Sequence, residues 1–303
     1  MQSPTLRILE TPQEMAAVEN LQKAIWPGSE VDIVPAHLLL AAAHNGGLII
    51  GAFGHNAELG DNGEEMLGFV FGFPGLYRTP DGPRPKHCSH MMGVDPGVRD
   101  QGIGFRLKRA QWQMVRNQGL DLVTWTYDPL MSRNAHLNIA KLGAVCSTYI
   151  ENVYGEMRDG INRGLPSDRF QVDWWVNTQR VNHRMSAGAR RPLDLAHYLA
   201  GGIEIINPSV VDEMGLPHPA SSKFDAAEWI DPAARRPLIL VEIPADFPGL
   251  KAANAELAMD WRFHTLEVFE ALFREGYLVT DFVHLPGKHP RSFYVLSYGE
   301  STL

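Results

Sequence analysis

Gly93-Val94-Asp95-Pro96-Gly97-Val98-Arg99-Asp100-Gln101-Gly102-Ile103-Gly104 is the stretch on which the reading of this chain turns. It lies between an expected strand over residues 86–94 and an expected helix over 102–118. In that helix Ile103, Leu107, Ala110 and Met114 recur at helical spacing and predict its buried stripe. Arg106, Lys108, Arg109 and Arg116 fall mostly off it. A dinucleotide fingerprint needs a third glycine where Leu107 stands. A P-loop running from Gly97 to Gly102 needs a lysine and a hydroxyl residue where Ile103 and Gly104 stand. What remains is Arg-x-x-Gly-x-Gly after a strand. Gly102 and Gly104 keep Cβ atoms away from an approaching ligand. Successive amides and the start of a helix favour an anion there, and Arg99 adds a local cation. A glycine-rich turn that merely closes onto its helix is the alternative.

Working outward, strands and helices alternate. Residues 5–10 read as a strand. Thr11-Pro12-Gln13-Glu14 then forms a capping box with proline at the first helical position, and the helix should end near Trp26. A second helix is expected over 35–44, closed by Asn45-Gly46. Strands are expected over 47–54 and 65–73, joined through Asn62-Gly63, and residues 75–85 read as a polar, proline-rich loop. Beyond Gly119 come a strand at 120–127, a helix at 133–142 ending at Gly143, and strands at 144–150 and 169–176. The composition then changes. Residues 184–192 read as a linker and 192–248 as mostly loop. A strand at 238–243, one long helix over 250–275 and a terminal hairpin, 277–284 with 291–297, complete the chain. The order strand, helix, glycine, strand, strand occurs in both 120–176 and 238–297.

The whole chain bounds the function. At 303 residues it suggests two units. With 27 basic and 35 acidic side chains its formal charge is −8, which argues against a dedicated nucleic-acid binder or an anionic membrane surface as partner. An anionic ligand must therefore be held by a local site. Cys88 and Cys146 make no disulfide scaffold. No secretory pattern and no apolar run of membrane-spanning length is seen, so a cytoplasmic protein is the expectation.

Residues 94–96 followed by Arg99–Gly104 resemble the phosphate-binding signature of the GNAT superfamily of acyl-CoA-dependent N-acyltransferases. The following strand, Asn134 and Lys141-Leu142-Gly143-Ala144 resemble its next motif. The resemblance covers roughly residues 5–176. It implies an α/β fold with a mixed, mostly antiparallel sheet, splayed central strands and flanking helices. Residues 177–303 would be an added α/β region, either a degenerate second half or a dimerisation element. It also implies acetyl-CoA or another acyl-CoA as co-substrate. Backbone groups of Met92, Gly93 and Val94 would pair with the pantetheine arm. Arg99, Asp100, Gln101, Gly102, Ile103 and Gly104 would hold the pyrophosphate, and Asn134 would touch the arm.

The implied chemistry is direct attack of a primary amine on the thioester, with a small-molecule amine such as an amino acid as acceptor. The family's usual tyrosine acid is replaced by Ile139, and Tyr127, Tyr149 and Tyr154 are the substitutes at hand. His90, expected on one strand face with Cys88, Met92 and Val94, and Asp128, at the end of the next strand, are candidate bases. Each also has a purely structural reading, a core histidine and a turn carboxylate. His87 and His90 should point to opposite strand faces, and no second Cys/His pair of zinc spacing exists, so no metal is expected. Trp174, Trp175 and Trp261 read as packing residues. Arg262 and His264 read as packed or solvated, with contact to a substrate carboxylate as the alternative. A non-catalytic acyl-CoA sensor is the second functional reading.

Overall fold

Thr11 and Glu14 cap the first helix reciprocally: the Thr11 hydroxyl accepts the Glu14 amide, and the Glu14 carboxylate accepts the Thr11 amide at 3.1 Å. Helix α1 (Pro12–Ile25) follows and buries Met15, Val18, Leu21 and Gln22. In this computed structural model, residues 4–27, 32–55, 63–155, 164–186, 192–219 and 236–299 are described. The expected turn residue Asn62, much of the 184–192 linker and residues 220–235 lie outside them. The chain divides into two units. One runs to Trp125 and includes Trp175–Asn177; the other holds Thr126–Trp174 and everything from Thr178. The expected boundary, residue 176, lies within Trp175–Asn177, where the chain returns briefly to the first unit.

The sheet of the first unit has the order β1 (Thr5–Ile8), β2 (Leu48–His55), β3 (Glu64–Thr79), β4 (Gly82–Val94), β5 (Leu122–Tyr127), with β5 ending in the second unit. Pairing is antiparallel except between β4 and β5, which are parallel. Helix α1 and helix α2 (Ala36–His44) cover one face through Leu9, Met15, Val18, Leu39, Phe69 and Phe71. Helix α3 (Ile103–Asn117) covers the other through Ile103 and Leu107, packed on Ile50, Ala52 and Val70.

The expected loop at 75–85 is instead a two-stranded arm. β3 and β4 stay paired out to Thr79 and Gly82, so Pro80-Asp81 alone forms the turn. In a two-residue hairpin the closing pair is hydrogen-bonded, and alternate pairs beyond it are not. Pro83 and Pro85, opposite Arg78 and Leu76, then fall at positions whose nitrogens face away from β3. Proline costs no ladder bond there, which is why a proline-rich segment forms a strand.

The second unit carries the strand order β7 (Arg169–Trp175), β6 (Val145–Ile150), β11 (Tyr277–Leu285), β12 (Arg291–Tyr298), β10 (Leu238–Pro244), with the last residue of β7 in the first unit. Helices α4 (Ser132–Ala135), α5 (Gln179–Met185) and α6 (Leu195–Ala200) belong to it, with a π-helical turn at His136–Lys141. So does the small hairpin β8 (Val210–Val211) with β9 (Pro217–His218). The one long helix expected over 250–275 is two, α7 (Phe247–Ala253) and α8 (Ala255–Arg274). Asn254 separates them. Its backbone is extended, and its carboxamide accepts the Leu257 amide at 3.0 Å, capping α8. Phe269 and Phe273 of α8 pack on Phe170. Both units are thus mixed α/β, with mostly antiparallel sheet and flanking helices.

Candidate functional site

The Arg99–Gly104 turn forms an open nest of amides. Asp95 turns the chain out of β4: its amide donates to the Leu67 carbonyl at 2.9 Å, and its carboxylate accepts the Gly97 amide at 2.7 Å. Asp100 and Gly102 both have positive φ, 65° and 77°. Glycine reaches that region without penalty, and aspartate is among the few other residues that visit it readily. Gly102 is the N-cap of α3, and no side chain caps that end. The first helical bond is Arg106 amide to Gly102 carbonyl, at 3.1 Å, so the amides of the first turn are left for an external acceptor. Nothing lies within 4 Å of where a Gly102 Cβ would be. Arg99, Gln101 and Gly102 are exposed.

Strand β4 carries a bulge just upstream. Phe71 pairs with Met91 but Phe73 pairs with Cys88, so Ser89 and His90 together oppose Gly72. A bulge bends its strand and breaks the alternation of faces. Both effects are present. β4 pairs with β5 only at His87–Val123 and Cys88–Thr124, immediately before the bulge. Beyond it, Met92 and Val94 join the apolar cluster of α3, while Met91 joins that of α1 and α2. His90 packs against Phe71 and Phe73, with ring centroids 5.8 Å away in each case. The expectation that His90 shares a face with Met92 and Val94 is therefore corrected: an extra residue intervenes. Gly93 faces α1, where a Cβ would lie 2.6 Å from Ile25 and 3.1 Å from Trp26. Its missing side chain serves packing.

His90 opens into a cleft of about 520 Å³ lined by Val34, Leu38, Ala41, Ala42, Phe71 and Phe73. The α2 wall is fixed by two polar side chains of α1. Buried Gln22 accepts the Val34 amide at 2.8 Å and donates to the Val34 carbonyl at 3.0 Å. Glu19 accepts the Ala36 amide at 2.8 Å, placing a carboxylate at the start of α2. The apolar surroundings of His90 hold its pKa below the usual imidazole value by desolvation. It is therefore mostly neutral at pH 7 and able to accept a proton.

On the other face of β4 lies a buried polar cluster that the apolar spacing of α3 does not predict. Lys108 is 3% exposed. Its ammonium donates to Ser89 Oγ at 2.7 Å and Gln111 Oε1 at 3.2 Å, and it sits 3.7 Å from the Trp125 ring centroid. Gln111 Nε2 is 3.1 Å from His87 Nε2, and His87 Nδ1 is buried without a hydrogen-bond partner. Burial pushes His87 down to about 4 and Lys108 down to about 7. The fully buried residues of α3 are thus Ile103, Leu107, Lys108, Gln111 and Val115; Ala110 and Met114 of the expected stripe are half-buried and pack against the same apolar cluster. The signal was available: His87 and Ser89 alternate toward α3 and need polar partners there.

The remaining candidates belong to the second unit. Asp128 is committed to structure. Its carboxylate takes two hydrogen bonds from Arg262, at 2.8 and 2.6 Å, and one from the Leu130 amide at 2.9 Å. Both partners are buried, so this is an ion pair and not a free base. Arg262 is thereby accounted for, and His264 Nε2 lies 3.1 Å from Asn207 Nδ2. Tyr149 donates to Asp168 at 2.7 Å; burial first, then the Asp168 charge, raises its pKa far above the phenol value. The Tyr127 hydroxyl meets that of Tyr294 at 3.1 Å, and Tyr154 meets Thr126 at 2.8 Å. Ile139 is fully buried, whereas Asn134 is exposed on α4. Among the described residues no group of His, Cys, Asp and Glu is placed to hold a metal ion, and no helix is long and apolar enough to cross a membrane.

No protein-family model and no curated protein sequence matches the chain. Solved structures do. A GNAT-family acetyltransferase from Streptococcus pneumoniae is 16% identical over 56% of this chain and 97% of its own, with a TM-score of 0.41. Arabidopsis thaliana NAA60, solved with acetyl-CoA, is 14% identical over 57% and 99%, at 0.45. An aminoglycoside 6'-acetyltransferase type Ii is 14% identical over 58% and 99%, at 0.42. These are among the solved structures to which the chain is similar.

Proposed function

We propose that the protein is an acyl-CoA-dependent N-acyltransferase that moves an acetyl or other short acyl group to a primary amine. The observation that carries the reading lies on β4. At its end the strand feeds an uncapped nest of amides, and four residues earlier a bulge frees its edge and presents His90. At 3.3 Å per residue that is about 13 Å, a span suited to an extended pantetheine arm. The resemblance of Arg99–Gly104 to the GNAT signature supports the same assignment.

In this reading the amides of the Arg99–Gly104 turn bind the pyrophosphate, and β4 backbone groups near Met92 and Val94 hold the arm. The amine nitrogen attacks the thioester carbonyl carbon and the carbon–sulfur bond breaks. CoA leaves as a thiolate, and the proton shed by the attacking nitrogen passes to an imidazole nitrogen of His90. Ile139 offers no acid, so the thiolate departs as the good leaving group it already is. Ile139 also favours the second reading, a sensor that binds acyl-CoA without turnover.

Titration with acetyl-CoA by calorimetry tests the ligand, and absence of binding at millimolar concentration overturns both readings. Thiol release over a panel of amines separates them. His90→Ala should lower kcat by about 10²-fold or more, as loss of a general base does, while leaving acyl-CoA affinity unchanged. The acid limb of the wild-type rate profile should lie below pH 6.5 and vanish in the variant.

A further inference from the structure

The cleft that His90 enters differs from the rest of this acidic protein. Its walls are Phe71 and Phe73 on β3 with Val34, Leu38 and Ala42 about α2, and among the described residues His90 is the one titratable side chain of the lining. Among the described residues, no lining arginine or lysine awaits a carboxylate, and no lining aspartate or glutamate awaits a second ammonium. A charged acceptor group lying against these apolar walls would lose water on that side and gain no counter-charge from the described lining. The volume, about 520 Å³, is that of a site for a whole small molecule rather than a packing defect. Leu38, at 51% exposure, leaves a large apolar side chain open to water at this cleft.

We propose that the acceptor is a primary amine borne on an uncharged apolar group, an alkyl- or arylalkylamine, whose apolar part fills the cleft between α2 and β3–β4 while its nitrogen meets His90. This rests on the acyltransferase reading and narrows it. Amino acids and polyamines, which carry a carboxylate or a second cation, are poor substrates on these grounds.

The probes are n-propylamine to n-hexylamine and phenethylamine, against glycine and 1,3-diaminopropane. With acetyl-CoA saturating, kcat/KM should rise about fourfold per added methylene, the partitioning of one buried CH₂. Glycine and 1,3-diaminopropane should fall at least tenfold below butylamine. Ala41→Glu introduces a carboxylate at an exposed helical position of the lining. It should cut hexylamine turnover tenfold or more without changing acetyl-CoA affinity. A flat alkylamine series, or a preference for glycine or the diamine, overturns the apolar assignment and leaves the acyltransferase reading intact. Failure of acetyl-CoA to bind overturns that reading alone. The cleft is then judged by hexylamine itself: a saturable shift of the His90 imidazole NMR signals, lost in Ala41→Glu, sustains the apolar amine site, and no shift ends it.

Discussion

At the scale of single residues, the strongest consequence comes from His87 and Lys108, two basic side chains buried where they hold their protons poorly. His87 titrates near 6.5 in an unfolded chain and at about 4 here. Between those values the unfolded state binds more protons, so stability should fall as pH drops from 6.5 toward 4. The slope is about 1.4 kcal/mol per pH unit. Lys108 has the same sign in a different window. Its pKa falls from 10.5 to about 7, so stability should rise as pH climbs from 7 toward 10.5. Urea unfolding across pH checks both. His87→Gln should flatten the acid window and Lys108→Met the alkaline one; parallel profiles for wild type and variants would show that burial does not depress these groups. Sequence spacing placed Lys108 off the apolar stripe because periodicity counts charge as exposure. Ser89 of β4, with Gln111 and the Trp125 ring, makes a buried ammonium tolerable.

At the scale of elements, the bulge in β4 organises the first unit, and Gly72 is what permits it. A Cβ on Gly72 would press on His87 Nε2 and stand 2.6 Å from the Cys88 carbonyl oxygen. Gly72→Ala should destabilise by about 1–3 kcal/mol, the usual cost of overpacking. It should also disturb the His90 geometry, measurable as a lower denaturation midpoint together with a lower kcat. An unchanged midpoint would mean the strand pair relaxes freely around the bulge. Most elements were legible. The capping box at Thr11, the glycines after α2, α3 and the π-helical turn, and the apolar runs of β2 and β10 all mark their elements locally. What was not legible depended on partners distant in sequence. A bulge is a mismatch between two strands, and neither strand records it alone. The β3–β4 arm was hidden because proline reads as a breaker until its outward register is known. Asp128 could not be told from a catalytic carboxylate until Arg262, far along the chain, was seen to claim it.

At the scale of the whole molecule, net charge and local site pull apart. The chain is −8 overall, yet the proposed ligand is an anion held by backbone amides. Long-range repulsion should slow encounter, and salt screens it over about 8–10 Å. The association rate of acetyl-CoA should therefore increase with ionic strength in stopped-flow measurements, opposite to the behaviour of a basic anion-binding protein. A rate that falls with salt would show that Arg99 and its neighbours dominate the approach.

The prolines of the β3–β4 arm bear on how the protein behaves in crowded solution. An extended ribbon with an open edge invites a second chain to add a strand, the first step of aggregation. Here the outward-facing positions 83 and 85 have no N–H to offer such a visitor. The same two residues that obscured the strand from its sequence also keep that edge solitary.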